Sequence, residues 1–210
     1  MSMRKISEGA ESDIYAVDFL GMGCVLKRRS KKEYRIREID DKIRATRTRK
    51  EARIMGSASS IGISSPRLLL VDKYDIIMTR ANGRNLNDIL NSKTDSYDIN
   101  LIFRRLGLYA AMLHNNGMVH GDYTPANVMI EGRSNVHIID FGLADATASI
   151  EDKALDVLLM KRSIDSASFS TFAKSYKRSS KDAAGVFGRL ADIEKRGRYS
   201  TRTLSTGNGN

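Results

Sequence analysis

One cysteine, Cys24, stands in the 210 residues, so the chain has neither a disulfide framework nor a cysteine-built metal site. The three histidines, His114, His120 and His137, fall at no metal-ligand spacing. No apolar run approaches the roughly 18 residues of a membrane-spanning helix. The opening Met1-Ser2-Met3-Arg4-Lys5 passes straight into polar residues, without the apolar stretch of a secretory signal. These absences lead us to expect a cytoplasmic protein of a reducing compartment, with no membrane association. Acidic charge is also short: 35 Lys and Arg against 25 Asp and Glu leave a net charge of +10. Beyond solubility, a surplus of that size points to a polyanionic partner, RNA first and an acidic protein second. The length suits one large domain or two small lobes, enough to bury a core without covalent help.

What is present is concentrated in two short stretches. His120-Gly121-Asp122-Tyr123-Thr124-Pro125-Ala126-Asn127 is followed, thirteen residues after Asn127, by Asp140-Phe141-Gly142. Val128 to Ile130 and Val136 to Ile139 read as short strands, with Glu131 to Asn135 as their turn. Such a hairpin carries Asp140 back beside Asn127. An amide oxygen and a carboxylate suit magnesium, a hard cation completed by waters and ATP phosphates. Asp122 suits the group that takes or orients the proton of an attacking hydroxyl or water. Either short motif alone is common by chance. Together, in this order and across a hairpin, they resemble the catalytic and metal-binding loops of a protein kinase.

The N-terminal third fits that resemblance. Ile6-Ser7-Glu8-Gly9-Ala10-Glu11-Ser12-Asp13-Ile14 stands where a kinase has its glycine-rich loop, with only Gly9 retained. Small residues let backbone N–H groups approach phosphate, serine hydroxyls add hydrogen bonds, and Ile14 would lie over adenine. Tyr15 to Phe19 alternates as a strand, Gly21-Met22-Gly23 makes a turn, and Cys24 to Arg28 is the next strand. On it Val25 and Lys27 share a face, giving an adenine wall and a phosphate-binding lysine. From Ser30 to Ser60 the chain reads as a charged helical region, with Ile36, Ile39 and Ile43, then Ala52, Met55 and Ser59, at helical spacing. Between positions 28 and 53 twelve Lys and Arg outnumber five acids, a one-signed face suited to phosphate backbones. Glu51 is the candidate ion-pair partner of Lys27, with Glu33 and Glu38 as open rivals. Arg67 to Val71 and Ile76 to Met78 flank a turn at Asp72 to Asp75. Thr79 to Gly83 reads as the crossing between lobes, its backbone and Met78 meeting adenine. The expected domains are a 1–80 N lobe, an 81–198 C lobe and a flexible basic tail at 199–210.

In the C lobe, Asn85 to Leu90 reads as a short helix. Leu101 to Asn116 reads as a longer one, buried along Ile102, Leu106, Tyr109 and Leu113 and stopped by Gly117. A protein kinase spends roughly 20 to 35 residues on an activation segment that ends in Ala-Pro-Glu. Here a helix starts at Ile150, eight residues after Gly142, and no Ala-Pro-Glu occurs. Gly121 stands where regulated kinases carry the arginine that senses activation-loop phosphate. We expect no activation-loop switch and no ordinary peptide-docking platform. Asp156 is placed either to hydrogen-bond the catalytic-loop backbone or to be a surface acid. Ser166 to Tyr176 and Ala183 to Lys195 read as helices, the latter with a Val186, Leu190, Ile193 stripe and an end at Gly197.

Over Ile6 to Arg198, the chain resembles the small atypical kinase of the KEOPS/EKC complex, the Bud/PRPK family. Glu-Gly-Ala-Glu-Ser at 8–12, Arg-Thr-Arg-Lys-Glu-Ala-Arg at 47–53 and Glu-Asp-Lys-Ala-Leu-Asp at 151–156 carry the resemblance, with the two kinase motifs. It implies an α+β, two-lobed protein-kinase-like fold with a small β-rich N lobe and a truncated helical C lobe. It further implies an ATP- and magnesium-dependent serine/threonine kinase that acts mainly as an ATPase. On this resemblance Lys27 and Glu51 orient ATP, Asp122 is the catalytic acid/base, and Asn127 and Asp140 hold magnesium. The family supports a threonylcarbamoyl-transferase subunit, with small accessory subunits, in making threonylcarbamoyladenosine at position 37 of tRNA. Its basic tail, here Arg196 to Arg202, is implicated in reaching tRNA, although this chain continues past the usual ending. Small-molecule phosphotransferases and Rio-type kinases share the His-Gly-Asp pattern but usually replace Asp-Phe-Gly. A catalytically dead scaffold is opposed by the presence of Lys27, Asp122, Asn127 and Asp140 together.

Overall fold

The structure, a computed structural model, describes residues 3–92, 96–147 and 149–204, with the backbone alone for 197–204. In chain order the elements are β1 (Met3–Glu8), β2 (Ser12–Phe19), β3 (Met22–Arg29), α1 (Arg37–Ser60), β4 (Leu68–Val71) and β5 (Asp75–Thr79). Then come β6 (Arg84–Asn85), α2 (Leu86–Leu90), α3 (Ile99–Asn115), β7 (Met118–Val119), a 3-10 turn (Pro125–Asn127), β8 (Val128–Glu131) and β9 (Asn135–Ile138). The last are β10 (Asp145–Ala146), α4 (Ile150–Ser163), α5 (Ser166–Ser179) and α6 (Ala183–Leu204). The N-terminal part is a β-sheet with one long helix and the C-terminal part is helical, the mixed α+β arrangement expected from the sequence. Two compact units are distinguished: Met1–Asp98 with Pro125–Asp145, and Ile99–Thr124 with Ala146–Asn210.

In the first unit five antiparallel strands lie in the order β1-β2-β3-β5-β4. Strand alternation divides their side chains. Val17, Cys24, Leu26 and Ile77 pack together on one face, flanked by Tyr15, Phe19 and Leu69. Ile14, Lys27 and Ile76 are cross-strand partners on the other face, as are Ala16, Val25 and Met78. The β2–β3 turn is tighter than the sequence suggested. Leu20 and Gly21 sit at φ 54° and 74°, the two left-handed positions of a two-residue hairpin, so Met22 and Gly23 already pair within β3. α1 packs on β4 and β5, and its axis begins at Arg37, so residues 30–36 are not helical. Its buried face is Ala45, Thr48, Ala52, Met55 and their neighbours. Ile36 is exposed because it precedes the helix, and Ile39 and Ser59 are exposed because they lie off that phase. β8 and β9 form the expected hairpin, Val128 opposite Ile138, closed by Gly132 at φ 61°.

In the second unit α3 buries Ile102, Leu106, Tyr109 and Leu113, and Gly117 turns at φ 67° just past its end. α5 crosses α3 closely. A Cβ on Gly107 would come within 2.3 Å of the Phe172 carbonyl oxygen, so only glycine admits this approach. Buried Lys153 of α4 pairs with Asp182 at 2.6 Å, fixing the start of α6. α6 does not end at Gly197 but continues to Leu204. A single glycine costs a helix only about 1 kcal/mol, and Arg198 to Leu204 are otherwise compatible with it. The tail expected at 199–210 is thus helical backbone as far as Leu204, and its remainder lies outside the described residues. Among the described residues no helix is long and apolar enough to cross a membrane.

Candidate active site

A cavity of about 300 Å³ opens in the first unit. Ile6, Ile14, Val25, Pro66, Met78 and Met129 supply apolar wall, and Thr79, Arg80 and Ala81 edge it. Lys27, Glu51, Asn127 and Asp140 also line it. The sheet register explains the grouping, since Ile14, Val25, Lys27 and Met78 share one face. Met129 faces the cavity because its neighbours Val128 and Ile130 take the buried side of the hairpin.

Lys27 Nζ donates to Glu51 Oε1 at 2.6 Å and to Asp140 Oδ1 at 2.6 Å. The other Glu51 oxygen accepts from Arg29 at 2.5 Å. Lys27, Arg29 and Glu51 are all buried, while the Asp140 side chain is 51% exposed. The two cations and two carboxylates sum to zero, the condition under which buried charge is tolerable. Glu33 and Glu38 are exposed, which leaves Glu51 as the partner of Lys27. Arg29 was not singled out from the sequence. It stands two residues after Lys27, and that spacing alone places it on the same strand face. Asp140 has φ 59°, a left-handed backbone that a non-glycine residue holds at a cost, and its Oδ1 accepts from the Gly142 N–H at 2.9 Å. A Cβ on Gly142 would sit 2.9 Å from that oxygen and 3.2 Å from Lys27 Nζ, so glycine keeps the charge cluster clear.

Of the 6–14 stretch, Ile6 and Ile14 line the cavity; Ser7, Glu8, Gly9, Ala10, Glu11, Ser12 and Asp13 do not. β1 runs to Glu8 and β2 starts at Ser12, leaving a tight turn in which the Gly9 N–H bonds the Ser12 carbonyl at 3.0 Å. Its three carboxylates are each paired, Glu8 and Asp13 with Lys5 and Glu11 with Arg47. The Arg47 hydrogen bond holds the Glu11 carboxyl below its ordinary range, and the Lys5 bond does the same for Asp13. With Lys5 shared between two of them and Arg47 on the third, two cations reduce the repulsion that three acids would otherwise offer an approaching phosphate.

Asn127 and Asp140, an amide and a carboxylate, line the cavity, and the Ile139 N–H donates to the Asn127 backbone carbonyl at 2.9 Å. Among the described residues no group of three or more His, Cys, Asp or Glu is arranged to hold a metal. Two oxygen donors without a protein cage fit magnesium, which keeps waters and substrate phosphates in its shell.

The second unit holds His120 to Thr124, the first part of the expected catalytic loop. Asp156 is buried and accepts from the His120 N–H at 2.7 Å and the Gly121 N–H at 2.8 Å. It is therefore a loop anchor, not a surface acid. His114 Nε2 lies 3.2 Å from the same carboxylate, and His114 Nδ1 lies 2.7 Å from the Tyr176 hydroxyl. Burial pushes the Tyr176 hydroxyl up to about 12, so it stays protonated beside Nδ1. Burial likewise pushes the Tyr123 hydroxyl well above its ordinary value, and it donates to the Leu106 carbonyl at 2.8 Å. The Asp122 N–H donates to His120 Nδ1 at 3.3 Å and its carbonyl accepts from Thr124 at 2.9 Å. Gly121 has φ 78°, so this turn demands glycine for its backbone as well as leaving out the phosphate-sensing arginine. Tyr176, 62 positions from its partner His114, carried no sequence signal of this role.

Comparison with known proteins agrees with the geometry. Residues 3–163 match the protein kinase domain family. The KEOPS complex subunit Bud32 of Pyrococcus abyssi is 34% identical, over 97% of this chain and 100% of its own. A probable bifunctional tRNA threonylcarbamoyladenosine biosynthesis protein of Methanothermobacter thermautotrophicus is also 34% identical, over 93% of this chain. This chain spans only 36% of that protein's length, and the same share of a similar bifunctional protein in Methanobrevibacter smithii. The Rio2 kinase of Chaetomium thermophilum, solved as an ADP/Mg2+-phosphoaspartate complex, superimposes with a TM-score of 0.64 at 18% identity. That match covers 95% of this chain and 72% of the other, and shows the fold alone. With a kinase-domain match over most of its length and a Bud32 relative aligned end to end, the chain belongs to the Bud32 family of kinase-fold proteins.

Proposed function

We propose that this chain is an atypical serine/threonine kinase that acts chiefly as a magnesium-dependent ATPase in tRNA threonylcarbamoyladenosine synthesis. The observation that carries the reading is Lys27, held between Glu51 and Asp140 in a cavity that Asn127 also lines. Ile14, Val25 and Met78 flank an adenine ring, and the backbone of Thr79 to Ala81 meets its edge. Lys27 binds phosphate oxygens, oriented by Glu51. Asn127 and Asp140 hold magnesium, which when bound neutralises phosphate charge. Asp122 takes or orients the proton of the attacking hydroxyl or water.

Water is favoured over a peptide hydroxyl as acceptor. α4 begins at Ile150, eight residues after Gly142, which leaves no length for a peptide-docking segment. Relatives bearing the names of a KEOPS subunit and of threonylcarbamoyladenosine biosynthesis supply the biological context. The partners we propose are the threonylcarbamoyl-transferase subunit, the small accessory subunits of a KEOPS-type complex, and tRNA modified at position 37, in the cytoplasm.

The test is ATP turnover by the purified chain with magnesium, alone and then with the transferase subunit and tRNA, with free phosphate separated from phosphoprotein. Free phosphate stimulated by the partners is the expected result. Phosphate appearing mainly on the partner protein, without tRNA dependence, would make it a regulatory protein kinase instead. Asp122→Ala is expected to lower turnover by roughly two to four decades, the usual weight of a general base.

A further inference from the structure

The sequence directs attention to α1 as the basic face, but three of its seven cations are already neutralised. Arg44 pairs with Asp40 and Asp41, Arg47 with Glu11, and Lys50 with Asp145. The contrast is the α3–α5 crossing in the second unit. These two helices, 17 and 14 residues long, contain no Asp or Glu at all and carry Arg104, Arg105, Lys174, Lys177 and Arg178. Where they cross, an open cleft of about 590 Å³ is lined by Asn100, Arg104, Thr171, Lys174, Ser175 and Arg178. On α5 the four lining residues fall at i, i+3, i+4 and i+7, one helical face. On α3 the two fall at i and i+4. Gly107 sets the close crossing, and the Ser175 hydroxyl donates to the Arg104 carbonyl at 2.6 Å beside it. Arg104, Lys174 and Arg178 are exposed, and none has a carboxylate partner among the described residues.

We infer that this cleft binds the phosphate backbone of RNA. Three cations converge on one concave surface that no acid lines among the described residues, which is the electrostatic footprint of a phosphodiester chain. The Ser175 and Thr171 hydroxyls donate within the cleft, to the Arg104 carbonyl and to Asn100 Oδ1 at 3.3 Å, so the Asn100 amide N–H2 is the remaining neutral side-chain donor suited to phosphate oxygens. Among the described residues no aliphatic or aromatic side chain lines the cleft, so it lacks the apolar anchor at the centre of a protein interface. RNA as the occupant rests on the tRNA-modification reading above.

The experiment is fluorescence anisotropy of a labelled tRNA transcript against the full chain, at roughly 50 to 300 mM salt. Combined Arg104→Gln, Lys174→Gln and Arg178→Gln is expected to raise Kd about tenfold or more near physiological salt. It should also flatten the log–log salt slope by about 2, with the basal ATP turnover measured without tRNA unchanged. A control neutralises three exposed cations of α1 by Lys42→Gln, Arg49→Gln and Arg53→Gln. Its expected loss is under about threefold, the general effect of net charge. Lys174→Glu alone should weaken binding more than Lys174→Gln, which separates charge from any change of fold. A triple variant that binds within about twofold of the parent, or an α1 control that loses as much, would overturn the inference. Poly-glutamate of matched charge competing as well as tRNA would overturn RNA as the occupant. If tRNA fails to stimulate ATP turnover, the proposed function is what fails; if tRNA affinity ignores the cleft, this inference fails alone.

Discussion

Arg29 provides a quantitative test of the buried charge cluster. It grips one oxygen of Glu51 at 2.5 Å while Lys27 holds the other at 2.6 Å, and both Glu51 and Arg29 are nearly inaccessible to water. Arg29→Met keeps the length of the side chain and removes its charge, leaving Lys27 alone between two carboxylates. Charge centres about 4 Å apart attract by about 4 kcal/mol at an effective dielectric near 20. Removing one partner of a buried pair costs about 3 to 5 kcal/mol, and the lower end applies here because Lys27 still holds Glu51. A loss of about 3 kcal/mol lowers Tm by roughly 6 to 12 °C in a chain of this size. Glu51, deprived of Arg29, draws Lys27 more strongly, so KM for ATP should rise further than kcat falls. Only one nitrogen of the Arg29 head contacts Glu51, and its Nε has no acceptor among the described residues. The two-pronged guanidinium is therefore not exploited, and Arg29→Lys should recover most of both losses. Arg29→Met, Glu51→Gln and the double variant form a thermodynamic cycle with an expected coupling of about 2 kcal/mol. An Arg29→Met protein with the parental Tm, or a coupling below about 0.5 kcal/mol, would refute the charge-balance reasoning.

Two further outcomes follow from the second unit. Asp156→Ala strands the His120 and Gly121 N–H groups and the His114 imidazole, and should cost about 3 kcal/mol and lower ATP turnover. Intact turnover in that variant would show that the loop needs no anchor. Asp165 caps α5, and hydrogen bonds from Ser168 and Ala167 hold its carboxyl below the ordinary 3.8. A lowered carboxyl stabilises the fold above its unfolded pKa, and that stability is lost as the pH falls through the folded value. Asp165→Asn keeps a capping oxygen but removes the titratable carboxylate, so it should change neutral stability little and soften the Tm decline below about pH 4. Equal acid slopes in the two proteins would contradict the assignment.

Much of the architecture was legible because local rules and tertiary packing agreed. The α3 stripe, the β8–β9 hairpin and the helix start at Ile150 each rest on periodicity or turn chemistry within one element. Glu51 stood among rivals in sequence but is in phase with Thr48, Ala52 and Met55, the residues α1 buries. What local rules could not reach was pairing across distance. The isoleucines at 36 and 39 had helical spacing, yet residues 30–36 are not helical and the buried face of α1 has another phase. The cations of α1 looked unopposed because Glu11 and Asp145 are remote in sequence, and their pairing shifts attention to the acid-free α3–α5 crossing. Likewise the Tyr176–His114–Asp156 chain joins three helices whose contacts no short motif encodes.

The central claim is that the Lys27–Asp140 cavity is a magnesium-ATP site. The most direct measurement is magnesium-dependent phosphate release by the parent chain and by Asp140→Ala, with circular dichroism on both. Asp140 is half exposed and outside the buried Arg29–Glu51 pair, so the variant should fold. Turnover that requires magnesium in the parent and is abolished in a folded Asp140→Ala protein is the expected result. Full turnover in that folded variant would contradict it.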